Sequence, residues 1–192
     1  MRMANNEFPM GKFCTIDFFN YIFAEYVPTV FDNFILSTQF NDQPVNLSLW
    51  DTTGPDDYYC LRPLSYPCTH IFLVTFSIIN PASFSNVTSK WLPEVRHHCP
   101  NTPVVLIGTK CDLITDQDVL RNLEQNGFYG PISFEEGEKC ARENECLSYI
   151  ETSALTGENV SDLPQIIAKL CVVAAESRIV KKKKATKGCI LQ

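Results

Sequence analysis

The stretch Val104-Val105-Leu106-Ile107-Gly108-Thr109-Lys110-Cys111-Asp112 decides the fold. Its first half is a continuous β-branched and apolar run, the signature of a strand buried on both faces of a parallel sheet. Its second half turns polar abruptly, and the carboxyl ends of parallel strands are where α/β sheets bind ligands. Forty residues after Asp112 the pattern recurs: Leu147 to Thr152 reads as a strand, and Thr152-Ser153-Ala154 follow at its end. A carboxylate at such a strand end can accept two parallel N–H donors from one planar ring. Guanine offers that pair, whereas adenine places an acceptor where guanine has a donor, so Asp112 would both hold the base and discriminate it. Lys110 can lay its methylene stem along the ring face, and the Ala154 N–H can donate to the ring carbonyl. Thr109, Lys110 and Asp112 with Ser153 and Ala154 are therefore candidate base-binding residues.

Working outward, Ile71 to Ile78 is a second run of the buried-strand type. Phe34 to Phe40 and Val45 to Trp50 flank the turn Asn41-Asp42-Gln43-Pro44 and predict a hairpin. Helices are expected from Pro81 to about His98, over Asp116 to Asn126 (short and charged), over Glu135 to Glu145, and over Ser161 to Ser177 with Pro164 in the first turn. Strands alternating with helices around one antiparallel hairpin predict an α/β fold with a doubly wound, mostly parallel sheet. His97-His98-Cys99 does not suggest a metal centre, because adjacent side chains on a helix diverge.

The 192-residue chain is 45% hydrophobic, enough for one full core, with no obvious dividing linker. Its nine cysteines form no CxxC pair, which favours reduced intracellular thiols over a disulfide framework or a zinc site. Residues 178–192 hold six of the sixteen Lys and Arg and none of the twenty-two acids. That leaves ten bases against twenty-two acids elsewhere, a body of −12 carrying a tail of +6. A body so acidic argues against nucleic-acid binding and marks the tail as a separate electrostatic device.

Trp50-Asp51-Thr52-Thr53-Gly54 ends the second hairpin strand. Asp51 there can hold magnesium through water, and the Gly54 N–H can reach a terminal phosphate. Thr29, in the loop Tyr26-Val27-Pro28-Thr29-Val30-Phe31-Asp32-Asn33, can ligate the same ion. These segments, with Leu61-Arg62-Pro63-Leu64-Ser65-Tyr66-Pro67, Glu94 to Pro103, TKCD and TSALT, resemble a Rac-type Rho-family small GTPase from about residue 20 to the carboxyl terminus. Asp116 to Asn126 falls where that family carries its insert helix.

The resemblance implies a small G-protein domain over residues 1–177, binding GTP or GDP with Mg2+. It makes Thr29 and Asp51 the magnesium residues, and Thr29 and Gly54 the sensors of the terminal phosphate. Switch I would span Tyr26 to Phe34 and switch II Thr53 to Tyr66, so that Tyr26, Val27, Pro28, Val30, Phe31, Asp32, Asn33, Leu61 and Leu64 face effectors. Implied partners are Rho-family effectors, exchange factors and a dissociation inhibitor, with signalling to the actin cytoskeleton.

Three departures stand out. A P-loop needs G-x-x-x-x-G-K-[ST], yet here only Gly11-Lys12 is found, with Asn6 at the first glycine and Phe13 at the hydroxyl position. Taking Gly11 and Lys12 as phosphate ligands makes the residues leading to Asn20 a short helix. The family's apolar first strand, central in the sheet, is then reduced to Met1-Arg2-Met3-Ala4-Asn5. Losing about four buried apolar side chains at roughly 1.5–3 kcal/mol each approaches the stability of a whole domain, about 5–15 kcal/mol. A misassigned start or a decayed gene copy would account for this. Finally, Pro55 stands where the family's water-orienting glutamine belongs, and Thr53 where alanine is usual, so hydrolysis is expected to be nearly abolished and no catalytic residue is assigned.

The carboxyl terminus adds an independent motif. Cys189-Ile190-Leu191-Gln192 is a C-a-a-X prenylation box behind Lys181 to Lys184 and Lys187. One prenyl chain anchors reversibly, and each lysine near an anionic leaflet adds on the order of 1 kcal/mol. The expected location is the cytoplasmic face of the plasma membrane or endomembranes, with a cytosolic pool.

Overall fold

A computed structural model describes residues 14–20, 31–53 and 62–174, with only the backbone described for residues 14–20, 31, 32 and 53. Among these residues six strands form one sheet: β1 (Cys14–Asn20), β2 (Phe31–Phe40), β3 (Gln43–Thr53), β4 (Ile71–Ser77), β5 (Val104–Thr109) and β6 (Ser148–Thr152), in the spatial order β2-β3-β1-β4-β5-β6. Every neighbouring pair is parallel except β2–β3. The expected doubly wound sheet with one antiparallel hairpin is thus the observed one. Among the described residues five helices accompany it: α1 (Pro81–Asn86), α2 (Leu92–His98), α3 (Gln117–Gln125), α4 (Phe134–Glu143) and α5 (163–174).

The central strand corrects the sequence reading. Cys14–Asn20, expected to be the short helix after a phosphate loop, occupies the slot between β3 and β4. It pairs with β3 from Cys14↔Leu47 to Asn20↔Thr53, and with β4 from Ile16↔Ile71 to Phe18↔Leu73. The first strand is therefore present, but later in the chain than the family pattern places it. Two causes act together. Thr15, Ile16, Phe18 and Phe19 are β-branched or aromatic and favour strand over helix. An empty slot would also leave the inner edges of β3 and β4 with unpaired buried N–H and C=O groups.

The hairpin turn is tighter than predicted. Asn41 (φ 51°) and Asp42 (φ 60°) both lie in the left-handed region and form a two-residue connection. Two positive-φ residues match the right-handed twist of the flanking strands, and Asn and Asp tolerate that conformation.

The expected helix from Pro81 to His98 is interrupted by a π turn at Val87–Trp91. Pro93 has no N–H to give the carbonyl four residues earlier, so the ladder shifts register there. Asp116 caps α3 by accepting from the Asp118 and Val119 N–H groups, and Ser133 with Glu136 forms a capping box on α4.

The two faces of the sheet are covered unequally. Phe72, Val74, Phe76, Val104 and Leu106 pack beneath the α1–α2 segment and α4, with Trp91, Val95 and Tyr149 completing that core. Leu47, Ile71, Leu73, Val105 and Ile107 face the other way, where α5 supplies Ile167 and Ala168. Gly108 and Gly137 both lie against the Tyr149 ring, where an added Cβ would come closer than van der Waals contact.

If β1 is central, the amides of Ile16 to Phe18 exchange as slowly as those of Ile71 to Leu73, because both belong to one cooperative unit. Ile16→Pro, which removes a ladder bond in mid-sheet, lowers stability by about 3 kcal/mol or more. Rapid exchange at 16–18 alongside a protected β4 would refute the assignment; hydrogen exchange with mass detection makes the measurement.

Candidate functional site

All five parallel strands end on the same side of the sheet, at Asn20, Thr53, Ser77, Thr109 and Thr152. The central strand has neighbours entering from both directions, which creates the crevice where doubly wound sheets bind ligands. Two loops at this edge carry the residues singled out for a base. Thr109 and Thr152 are register partners on β5 and β6. The Thr109 hydroxyl donates to the Phe76 carbonyl at 3.0 Å, which ties the end of β5 to β4. Lys110 follows in the left-handed conformation (φ 65°) and caps a 3-10 turn at Cys111–Leu113. A non-glycine residue held there is unusual and clusters at functional sites.

Asp112, within that turn, is met by the fully buried Ser153, whose hydroxyl donates to Asp112 Oδ1 at 2.5 Å. Ser153 is itself fixed by three further bonds. Its N–H donates to the Glu158 carbonyl at 3.1 Å, its Oγ accepts from the Thr156 N–H at 3.1 Å, and its carbonyl accepts from the Gly157 N–H at 2.9 Å. Asp112 Oδ2 and the Ala154 N–H have no hydrogen-bond partner among the described residues. A carboxylate held by one oxygen and a backbone donor without a partner among the described residues offer a fixed acceptor and donor at the strand ends. The set fits the edge of a guanine ring. Thr109, Lys110, Asp112, Ser153 and Ala154 are thus brought to one place, as the sequence anticipates.

Beneath these loops lies a cleft of about 260 Å³ between the sheet and α5, lined by Leu47, Leu73, Ile107, Lys110, Ala154 and Ile167. The Sγ of Cys111, the residue after Lys110, lies 3.7 Å from Glu158 Oε2. Burial, then the Glu158 carboxylate, pushes its thiol up to about 11, so it stays protonated and unreactive at neutral pH.

The phosphate side is different. Asp51 sits at the end of β3, opposite Asp32 on β2 and Phe18 on β1. Among the described residues no three His, Cys, Asp or Glu side chains cluster to hold a metal. Asp51 could meet a magnesium ion there through water. Gly11, Lys12, Tyr26, Val27, Pro28, Thr29, Val30, Gly54, Pro55, Leu61 and Cys189 lie outside the described residues. Gly11 and Lys12 precede β1 in the chain, whereas the glycine and lysine of a phosphate loop follow a strand. The ten residues after β1, Tyr21 to Val30, contain no glycine. In chain order Gly11-Lys12 thus stands ahead of the central strand, where the family's phosphate loop stands behind it.

One cluster escaped the sequence reading. Arg62 is buried, and its Nε and Nη2 donate to Glu94 Oε1 and Oε2 at 3.1 and 2.9 Å, while the buried Tyr66 hydroxyl donates to Glu94 Oε1 at 2.5 Å. The guanidinium also lies 5.2 Å from the Trp91 ring centre. Burial alone would raise the Glu94 carboxyl, but bonds from Arg62 and Tyr66 outweigh it and hold the carboxyl below its ordinary value. This grip fastens the segment at Arg62–Leu64 to α2 and leaves Leu64, a predicted effector contact, 74% exposed. Only the thirty-two-residue separation of Arg62 and Glu94 hid it, since a lone arginine between leucine and proline reads as a surface residue.

The fold and this crevice define a doubly wound domain built to bind a nucleotide base at its strand ends. The profile of the Ras family matches residues 8–172, and the chain belongs to that family of small GTPases.

Glu94→Gln leaves a buried guanidinium without its counter-charge, and the loss is about 3–5 kcal/mol, seen as a melting temperature lower by on the order of 10 °C. Because the folded carboxyl titrates below its ordinary 4.5, its contribution is present above that value and disappears as pH falls through the lowered one. Wild type and variant should therefore converge in acid; an unchanging gap from neutral pH down to pH ~3 would contradict the ion pair.

Proposed function

We propose that this small GTPase is a Rac-like member of the Rho branch. In this reading it is a guanine-nucleotide switch brought to anionic membranes by a prenylated Cys189 and its lysines, acting through effectors, with hydrolysis crippled. The observation that carries the nucleotide part is the Asp112–Ser153 bond, which joins the β5 and β6 loops before any ligand arrives. The Rho-branch part draws support from α3, a capped helix at the insert position, and from the segments around Tyr26 and Leu61. Pro55 supports the loss of hydrolysis, since it has no amide to orient water and fixes its own φ. The membrane part rests on the C-a-a-X box and the charge of the tail.

A second reading is favoured by one observation, the position of Gly11-Lys12 ahead of β1. Without a glycine-rich loop after that strand, the phosphates lose most of their backbone donors. The chain would then be a binding module that presents effector surfaces without cycling nucleotide.

Nucleotide extracted from the purified full chain, together with melting curves with and without GDP and Mg2+, separates the two. The switch reading expects bound guanine nucleotide and a GDP-dependent rise in melting temperature; at a hundredfold excess over Kd the gain is about 2.7 kcal/mol. Asp112→Asn, isosteric but presenting an N–H to guanine's N–H, abolishes that rise and leaves the ligand-free melting point nearly unchanged. A folded protein with no GDP response establishes the second reading. GTP turnover at a rate typical of small GTPases would refute the loss of hydrolysis.

A further inference from the structure

The cleft between the sheet and α5 is apolar far beyond what a base needs. Leu47, Leu73, Ile107 and Ile167 form its buried floor, and the more exposed Leu36 and Leu163 border it. Apart from Lys110 its polar lining is threonine, and Thr109 and Thr152 donate their hydroxyls to the Phe76 and Gly108 carbonyls. An apolar cavity of about 150 Å³ stays dry and takes up benzene. This one, at about 260 Å³, has room for a longer chain of carbon. α5 leads from it towards the carboxyl terminus. About two turns of helix carry the chain from Ile167 to residue 174, roughly 10 Å. Cys189 stands fifteen residues further on, a reach of up to about 50 Å, so the tail is long enough to fold back. Its charge suits the same place. Residues 153–164, which border the cleft through Ala154 and Leu163, carry the exposed Glu158 and Asp162 and no base, opposite in sign to Lys181 to Lys184.

We propose that this cleft receives the isoprenoid chain of Cys189, so that the tail folds back on the body that carries it. The inference rests on the reading of Cys189 as a lipidated residue. An isoprenoid is branched and free of polar atoms, and a wall of leucine and isoleucine stabilises it by removing its surface from water. In the docked form the lysines that precede Cys189 lie over Glu158 and Asp162, a pairing that salt weakens. An anionic membrane takes up the same chain and the same lysines. Cleft and membrane therefore compete for one tail. The docked chain is soluble, and an anionic surface draws the lipid out.

The full chain made without lipid is titrated with N-acetyl-S-farnesylcysteine methyl ester, kept below its micelle concentration, and the melting temperature is followed. The expected result is a saturable rise with a Kd of micromolar order, and none with N-acetylcysteine methyl ester. Leu36→Glu, a carboxylate at a partly exposed border position, weakens binding about tenfold or more. Leu163→Trp, which fills the space without adding charge, weakens it too. Tyr129→Lys, at an exposed aromatic outside the cleft, leaves it intact. The chain is then farnesylated enzymatically and Cys189 checked by mass. The lipidated chain stays monomeric and no longer responds to the farnesyl compound, and its Leu36→Glu variant moves onto phosphatidylserine vesicles more readily. An unlipidated chain that does not respond overturns the proposal, as does a lipidated chain that still binds the compound in full. A Cys189 that accepts no lipid overturns it together with the reading beneath it; a response of the unlipidated chain then places the failure in that reading rather than in the cleft.

Discussion

The parallel pairing of β1 between β3 and β4 is the constraint on which everything else in this chain depends. β4 and β5 are wholly buried, and buried strands must pair on both sides or strand their backbone groups away from water. β4 has β5 on one side, and on the other its partner is Ile16 to Phe18. The hairpin of β2 and β3 joins the rest of the sheet through β1 as well. One seven-residue strand thus links the half of the molecule that carries Asp51 to the half that carries Asp112.

This constraint also explains where the sequence was legible. Ile71 to Ile78 and Val104 to Thr109 could be read directly, because full burial on both faces demands uninterrupted apolar residues and leaves a plain signature. The helices were legible from their caps: Asp116 and Ser133 each accept from the first turn, which is a local property of a few residues. β1 was misread because Cys14 to Asn20 stands where the family pattern calls for a helix, although its alternation and its β-branched and aromatic residues favour a strand. The vacancy between two distant segments, a tertiary demand, acts in the same direction as that local preference. The π turn was missed in smaller measure, since Pro93 was visible but its effect on a ladder closed four residues earlier was not.

The candidate site divides along the same line. Its base side was readable because each residue follows a clear strand end. The geometry adds what sequence could not supply, namely that Ser153 holds one oxygen of Asp112 while the other has no partner among the described residues. That bond crosses between loops forty-one residues apart, and it exists because β5 and β6 are in register at Thr109 and Thr152. The ordering cost of the two loops is met in folding rather than at binding, which is the physical content of preorganisation. Among the described residues the phosphate side shows no counterpart to it, and the stretch that follows β1 in the chain, Tyr21 to Val30, contains no glycine.

The Arg62–Glu94–Tyr66 grip gives this asymmetry a further consequence. In a switching domain the segment after the third strand must hold two arrangements within a few kcal/mol of each other. Here its far end, Arg62–Leu64, is fastened to α2 by a buried, bidentate ion pair and a tyrosine. Breaking such a pair costs about 3–5 kcal/mol, comparable to the whole differential that a ligand needs to invert a two-state equilibrium, about 5.5 kcal/mol. Any rearrangement driven by a phosphate must therefore stop short of Arg62 or spend most of its driving force there. The surface around Leu64 therefore stays presented in one form unless that pair is broken.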